Sequence, residues 1–377
     1  MNYNELFEKE YLIQKGIIED SKITILYGNS IVACIMNVAI KELGFSTKCI
    51  IFDNGKFVNN DYFSSHFNDV PVILCSSRML TRAGMKEDAN TYFPGANVFD
   101  FYAIYHQWIT KCIKRKCDYD SFAETLYLCR KDECLYNIDS INTLFCNLKC
   151  KECHNGIPQR KEKRKIPVES QIFYLDKITD KLPVSQCNFQ GGEVFTDVNF
   201  SEFVKLHARN PRIAIFTIAT NGTILPNEEM FQVIKQTGAM IRISDYGPIS
   251  QQKNSIINKC KEYSIPCFTF PMAEKWRKFG EYKKRNRLEN DLHQICKSCC
   301  FGTHDMMFVE DKLFCCLRTL FADAIGDKND AVLANTLDLN SEFSLEEFKE
   351  FVQGKELWRM CDYCDYPMLL IEPAEQM

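Results

Sequence analysis

Cys146, Cys150 and Cys153 stand in one short stretch, NTLFCNLKCKECHNG, with the spacing C-x3-C-x2-C. Three thiolates packed this closely can face one inorganic centre from a single loop. Soft thiolate ligands favour an iron–sulfur cluster or zinc. A structural zinc site takes a fourth protein ligand. A cubane held by three thiolates leaves one iron open for a substrate or cofactor. The plain alternative is three unligated cysteines in a loop of a cysteine-rich protein.

The rest of the composition narrows the setting. The 377 residues suffice for two or three domains, and 46% hydrophobic with 25% charged residues predicts a packed core. A net charge of −4 gives no field that argues for nucleic acid. The start, MNYNELFEKEYLIQKG, lacks the basic and apolar runs of a signal peptide, and no stretch approaches an uncharged membrane span. The expectation is a cytoplasmic protein with no membrane and no nucleic-acid partner. Twenty cysteines in that setting read as metal ligands and buried thiols rather than a disulfide framework. Ten are scattered singly. The other ten gather as three near 150, five between 296 and 316, and two near 362.

Along the chain, residues 1–112 read as a Rossmann-like α/β domain. SKITILYGNS, FSTKCIIFDNG and VPVILCSS are strands, and SIVACIMNVAIKELG is a helix capped by Ser30 and Gly44. Gly28 and Asp53 occupy dinucleotide-fold positions, but the turn GNSIVA lacks the second glycine. Residues 113–136 read as a linker with one helix. YNIDSINTLF is a strand whose end delivers Cys146, and chemistry gathers at the carboxyl ends of parallel strands. Strand–helix units then repeat through 137–272. Their strand ends carry Gly191-Gly192-Glu193, Thr220-Asn221-Gly222 and Ser244-Asp245. The run QRKEKRK (159–165) reads as a solvated segment or a patch for an anionic partner.

The cysteine triplet, placed directly after a strand, resembles the cluster loop of the radical S-adenosylmethionine (SAM) enzymes. One departure is Glu152, where that family usually has an aromatic residue. The resemblance implies a 4Fe-4S cluster on Cys146, Cys150 and Cys153 with SAM on the open iron. It implies a fold of class α/β, with a partial (β/α)6 barrel core over 137–289 beside the N-terminal Rossmann-like domain. Gly191, Gly192 and Glu193, about forty residues after the third Cys, match the motif that contacts the SAM amino group. Asn221 and Ser244 fall where related enzymes contact SAM.

CKSCCFG, DKLFCCLR and WRMCDYCDYP supply the later cysteines. A zinc ribbon is one reading of the C-x2-C pairs. Their order around the hairpin MMFVEDKLFCC resembles the twitch domain, the shorter relative of the SPASM extension, over 290–377. That implies a second 4Fe-4S cluster on Cys316, Cys361 and Cys364, with Cys299 or Cys300 as the remaining ligand and Cys296 as a further candidate. The family's turn glycine is Asp311 here. The motifs GGE, TNG, RISDYG, KW-x2-FG and CDYCDYP together also resemble bacterial enzymes of surface-polysaccharide gene clusters.

The resemblance implies reductive cleavage of SAM to a 5′-deoxyadenosyl radical, which takes hydrogen from a substrate. The favoured substrate is a sugar, nucleotide-sugar or aminocyclitol, oxidised or epimerised at a carbinol carbon. The reductant is a flavodoxin- or ferredoxin-type protein. Arg242, Asp245, Tyr246 and Arg318 are the candidates for substrate contact or proton transfer. The alternatives are a peptide-modifying radical SAM enzyme and a non-catalytic iron–sulfur or zinc scaffold.

Overall fold

The computed structural model describes residues 2–58, 69–161, 163–272, 276–299, 305–352 and 357–377. Short apolar strands in the first hundred residues build one sheet: β1 (Ile23–Tyr27), β2 (Lys48–Asp53), β3 (Lys56–Phe57), β4 (Pro71–Leu74) and β5 (Asn97–Asp100). Their order is β3-β2-β1-β4-β5. All pair in parallel except β3, which folds back on β2. The order reverses between β1 and β4, where doubly wound sheets open a ligand crevice. Here Ser30 Oγ donates to the Cys75 carbonyl at 2.7 Å, and the Met85 side chain and Cys75 carbonyl crowd Gly28.

The second sheet holds β6 (Leu135–Thr143), β7 (Val184–Gly191), β8 (Ile213–Thr220), β9 (Met240–Asp245) and β10 (Cys267–Pro271). Helices Val168–Lys181, Phe200–Arg209, Glu228–Thr237 and Lys253–Tyr263 connect them in turn. A short strand β11 (Arg277–Lys278) follows, then β12 (Asp305–Val309), β13 (Lys312–Phe314), β14 (Thr336–Asp338) and β15 (Leu369–Leu370). The sheet order is β10-β9-β8-β7-β6-β12-β13-β14. The protein is thus mixed α/β around a parallel sheet that forms an open, partial barrel. The sixth parallel strand, β12, pairs with β6 on the opposite edge from β10.

Alternation along the strands separates two environments. Ile138, Cys187, Phe189, Phe216, Ile218, Ile241 and Ile243 face the helices and join one core with Leu175, Phe203, Val204 and Ile234. Phe189 is fully buried against Phe200, Phe203, His207 and Phe216. Burying one such ring is worth roughly 1.5–3 kcal/mol. Many of the opposite positions are polar: Asn137 and Asp139 on β6, Gln186, Asn188 and Gln190 on β7, Thr217 on β8, Arg242 and Ser244 on β9.

The N-terminal region packs on the amino ends of these strands. Tyr105 donates its hydroxyl to the Ala214 carbonyl at 2.9 Å, and Arg115 Nε donates to the Thr237 carbonyl at 3.1 Å. Trp108 and Ile109 share a core with Ala214, Ile215 and Met240. This closes the barrel end opposite the cysteine loop. At the other edge, the β12–β13 hairpin turns at Glu310 (φ +50°), and β15 pairs with β11. Among the described residues no helix is long and apolar enough to cross a membrane. Of the sequence expectations, Cys300 lies outside the described residues.

Candidate metal centre

The loop that follows β6 is carried on the backbone of β7's end. Gly192 N–H donates to the Thr143 carbonyl, and Glu193 N–H to the Phe145 carbonyl, both at 2.9 Å. The approach leaves no room for a side chain. A Cβ on Gly191 would lie 2.3 Å from the Thr143 oxygen, and one on Gly192 would lie 1.8 Å from the Phe145 oxygen. The two glycines therefore serve the seating of the cysteine loop itself, a demand that ligand approach alone did not suggest.

Glu193 is fully buried. Its Oε1 accepts from Thr220 Oγ1 at 2.9 Å and Phe195 N–H at 3.2 Å, and its Oε2 accepts from Asn221 N–H at 2.8 Å. The carboxylate thereby ties the end of β7 to the end of β8. Burial pushes it up from the ordinary 4.5 to about 7, against the pull of those three donors. The groups of this turn that face the cavity are Gly191 and Gly192.

Asn221 reaches the loop from the next strand end. Its Nδ2 donates to Asn147 Oδ1 at 3.0 Å and lies 3.8 Å from Cys146 Sγ. Ser250, which no sequence signal singled out, joins this turn to β9. Its hydroxyl donates to the Asn221 carbonyl at 2.7 Å and accepts from Tyr246 N–H at 2.9 Å.

Cys146, Cys150 and Cys153 line one cavity of about 270 Å³. Gly191, Gly192, Asn221, Ser244 and Tyr246 share its walls. Trp276 closes one side, edge-on to Tyr246 at 5.3 Å and stacked on His154 at 5.0 Å. Burial holds the His154 imidazole down at about 4, so it is neutral near pH 7. Burial also pushes the thiols up, Cys146 to about 12 and Cys153 to about 11. Metal ligation needs thiolates and releases these protons. Three thiols lining one open cavity fit, by the chemistry of the donor set, a cluster with a free coordination position.

The cavity floor is polar and includes residues the sequence reading passed over. Asp139 Oδ1 accepts from Asn188 Nδ2 at 2.7 Å and Asn137 Nδ2 at 3.3 Å. Arg242 Nη2 donates to Gln190 Oε1 at 3.3 Å, and its buried Nε has no partner. Burial raises the Asp139 carboxyl, and Arg242 pulls it back. The signal available was the alternation of YNIDSINTLF, which puts Asn137 and Asp139 opposite Ile138.

The remaining candidates divide. Arg242 and Tyr246 line the cavity. Asp245 pairs with Lys253 at 2.7 Å and accepts from Gly247 N–H at 3.0 Å, so it braces its own turn. Arg318 is buried and donates to the carbonyls of Tyr363 at 2.7 Å and Gly280 at 3.0 Å. It braces the C-terminal region.

A second, small cavity gathers Cys296, Cys299, Cys315, Cys316, Cys361 and Cys364. Cys315 also packs into the main core, and the Cys316 thiol lies 3.2 Å from Thr319 Oγ1. Arg287 straps the C-x2-C turn, donating to the carbonyls of Cys361 at 3.0 Å and Cys364 at 2.9 Å. Cys296 lies within hydrogen-bonding reach of Cys361. Among the described residues no three His, Cys, Asp or Glu side chains converge as around a single ion. A cubane spreads its thiolates over separate irons and asks for no such convergence. Leu317 lines both cavities. Among the described residues every cysteine is a free thiol.

No curated protein matches the chain. Similar solved structures include BtrN in complex with AdoMet and 2-DOIA, at 14% identity, covering 64% of this chain and 97% of that one, with a TM-score of 0.36. Streptococcus suis SuiB bound to S-adenosylmethionine is similar at 12% identity, covering 76% and 85%, with a TM-score of 0.35. For anSMEcpe with bound AdoMet the values are 13%, 61%, 82% and 0.39. Residues 141–244, which span the cysteine loop, the Gly191-Gly192-Glu193 turn and the strand ends through Ser244, match the model of the Radical SAM superfamily, and over this stretch the chain carries a radical SAM domain.

Proposed function

We propose that the chain is a radical SAM enzyme acting on a sugar, nucleotide-sugar or aminocyclitol, with oxidation or epimerisation at a carbinol carbon. Cys146, Cys150 and Cys153 hold a 4Fe-4S cluster, and the same cavity takes SAM against Gly191, Gly192, Asn221 and Ser244. When bound, these groups supply an alkyl radical able to take hydrogen from an unactivated C–H bond. The single observation that favours this substrate class is the polar floor of Asp139, Gln190 and Arg242. Hydroxyl groups of a polyol find both donors and acceptors there. Asp139 is the group placed to hold a proton released from a carbinol. Trp276, Tyr246 and the barrel's closed amino end keep water from the reacting carbon.

Glu193, matched to the contact of the SAM amino group, serves the same site in this reading and also holds Asn221 and Thr220 in place. Cys316, Cys361 and Cys364, with one of Cys299, Cys300 or Cys296, hold a second 4Fe-4S cluster. A flavodoxin- or ferredoxin-type protein supplies the electron.

Anaerobic reconstitution with iron and sulfide tests the assignment. The wild type is expected to take up about eight irons per chain and the Cys146→Ala/Cys150→Ala/Cys153→Ala variant about four. With SAM and a reductant, the wild type is expected to release 5′-deoxyadenosine and the variant none. Wild-type protein that loads iron but makes no 5′-deoxyadenosine overturns the radical reading. About four irons with about one zinc in the wild type overturns the second cluster. Nucleotide-sugars incubated in deuterated water separate the outcomes, since epimerisation brings in solvent deuterium and oxidation does not.

A further inference from the structure

We infer that the segment 369–377 is a strap on the cysteine loop, and that Gln376 is a positioning residue that sets the reduction potential of the centre held by Cys146, Cys150 and Cys153. The inference rests on the proposed cluster at those thiols. The strap leaves the C-terminal thiol site just after Cys364. Leu369 and Leu370 pair with Lys278 and Arg277, and Ile371 N–H donates to the Trp276 carbonyl at 3.1 Å. Ala374 is fully buried in a small core with Cys150 and Trp276. The end then runs antiparallel to the loop. Lys151 N–H donates to the Glu375 carbonyl at 2.8 Å, Met377 N–H donates to the Lys149 carbonyl at 2.9 Å, and Cys150 bridges Gln376.

The Gln376 amide is oriented by its neighbours. Its Oε1 must take the Lys149 N–H, at 2.7 Å, because that donor needs an acceptor. Nε2 is thereby turned toward the Ala374 carbonyl, at 2.5 Å, and Cys150 Sγ, at 3.5 Å. A donor on a cluster thiolate draws charge from sulfur. It stabilises the reduced, more negative state, and such hydrogen bonds are among the determinants of cluster potential. Cys146 has its own donors, Leu148 N–H at 3.4 Å and Asn221 Nδ2 at 3.8 Å. For Cys150 that place is filled from the strap, so one short segment joins the C-x2-C turn of one thiol site to a ligand of the other.

The test is a redox titration of the full, reconstituted chain. It is followed by the electron paramagnetic resonance signal that changes on adding SAM, with iron content and thermal unfolding measured in parallel. Gln376→Ala is expected to give a more negative midpoint than wild type. Gln376→Glu is expected to go further negative, because a carboxylate faces the thiolate. Loss of iron from this site alone, with the other cluster and the unfolding temperature unchanged, also supports the strap. Wild-type midpoints in both variants at full iron loading overturn the inference. So does a loss of iron from both sites together with early unfolding, which marks a general fold element. A wild type that loads no cluster at Cys146, Cys150 and Cys153 instead overturns the underlying assignment, and the wild-type sample alone reveals that case.

Discussion

Gly192→Ala is expected to leave the chain without iron at Cys146, Cys150 and Cys153 while much of the fold persists. The new Cβ would stand 1.8 Å from the Phe145 carbonyl oxygen, where real contacts begin at 3.0 Å. The obstacle is backbone, so no rotamer relieves it, and the loop base must recede by more than 1 Å. That movement breaks two hydrogen bonds, from Gly192 N–H to Thr143 and from Glu193 N–H to Phe145, worth roughly 1 kcal/mol each. It also shifts Cys146, whose Cβ lies 3.0 Å from the added carbon. Overpacking of this kind costs about 1–3 kcal/mol in addition. Gly44→Ala is the control. It meets nothing within 4 Å and is strained only by its φ of +88°. Its expected loss is about 1 kcal/mol with full iron loading. Iron content after reconstitution and urea unfolding separate the two. A Gly192→Ala protein with wild-type iron would show that the loop can find another seat.

This loop also shows where sequence reading reaches and where it stops. The thiol triplet was legible because its members sit within eight residues, and local spacing survives into any fold. The strand–helix alternation was legible for the same reason. Asn227 and Gly238 bracket a helix with local chemistry, the one accepting from Met230 N–H and the other standing at φ +66°. Contacts set by tertiary register left no local trace. Gln376 touches Cys150 from 226 residues away. The β12 strand joins the barrel beside β6 rather than after β10, so the C-terminal hairpin extends the same sheet. Asp245 drew attention as an acid at a strand end, but Lys253, the first residue of the helix Lys253–Tyr263, pairs with it. Asp139 was hidden by lying inside a strand, where acids are scarce unless the face is functional. The N-terminal sheet has the strand order of a nucleotide-binding fold. Only the packing of its helices against β8 and β9 shows where it sits, at the amino ends of the barrel strands.

Glu193→Ala is expected to destabilise the protein by about 2–5 kcal/mol at pH 5 and to weaken iron retention at the first site. Removing the carboxylate strands the N–H groups of Asn221 and Phe195, both held only by its oxygens in a region closed to water. Each buried donor left unpaired costs about 1–3 kcal/mol, while the Thr220 hydroxyl can turn to another acceptor. The Asn221 turn then loses its tether, and with it the side chain that reaches Asn147 and Cys146. The effect depends on pH, with a definite sign. Unfolded, the carboxyl releases its proton near 4.5; folded, it holds it to about 7. Between these values folding takes up a proton, so this part of the stability is full below pH 4.5 and is lost as pH rises through about 7. The separation of the two values corresponds to about 3 kcal/mol. Alanine cannot titrate. Urea unfolding at pH 5 and pH 8 should therefore find wild type and variant further apart at pH 5, by about 2–3 kcal/mol. An equal gap at both values would mean that Glu193 stays ionised in the folded chain, its three donors outweighing its burial. The turn would then be held by a charged strut rather than by a carboxyl poised near neutrality.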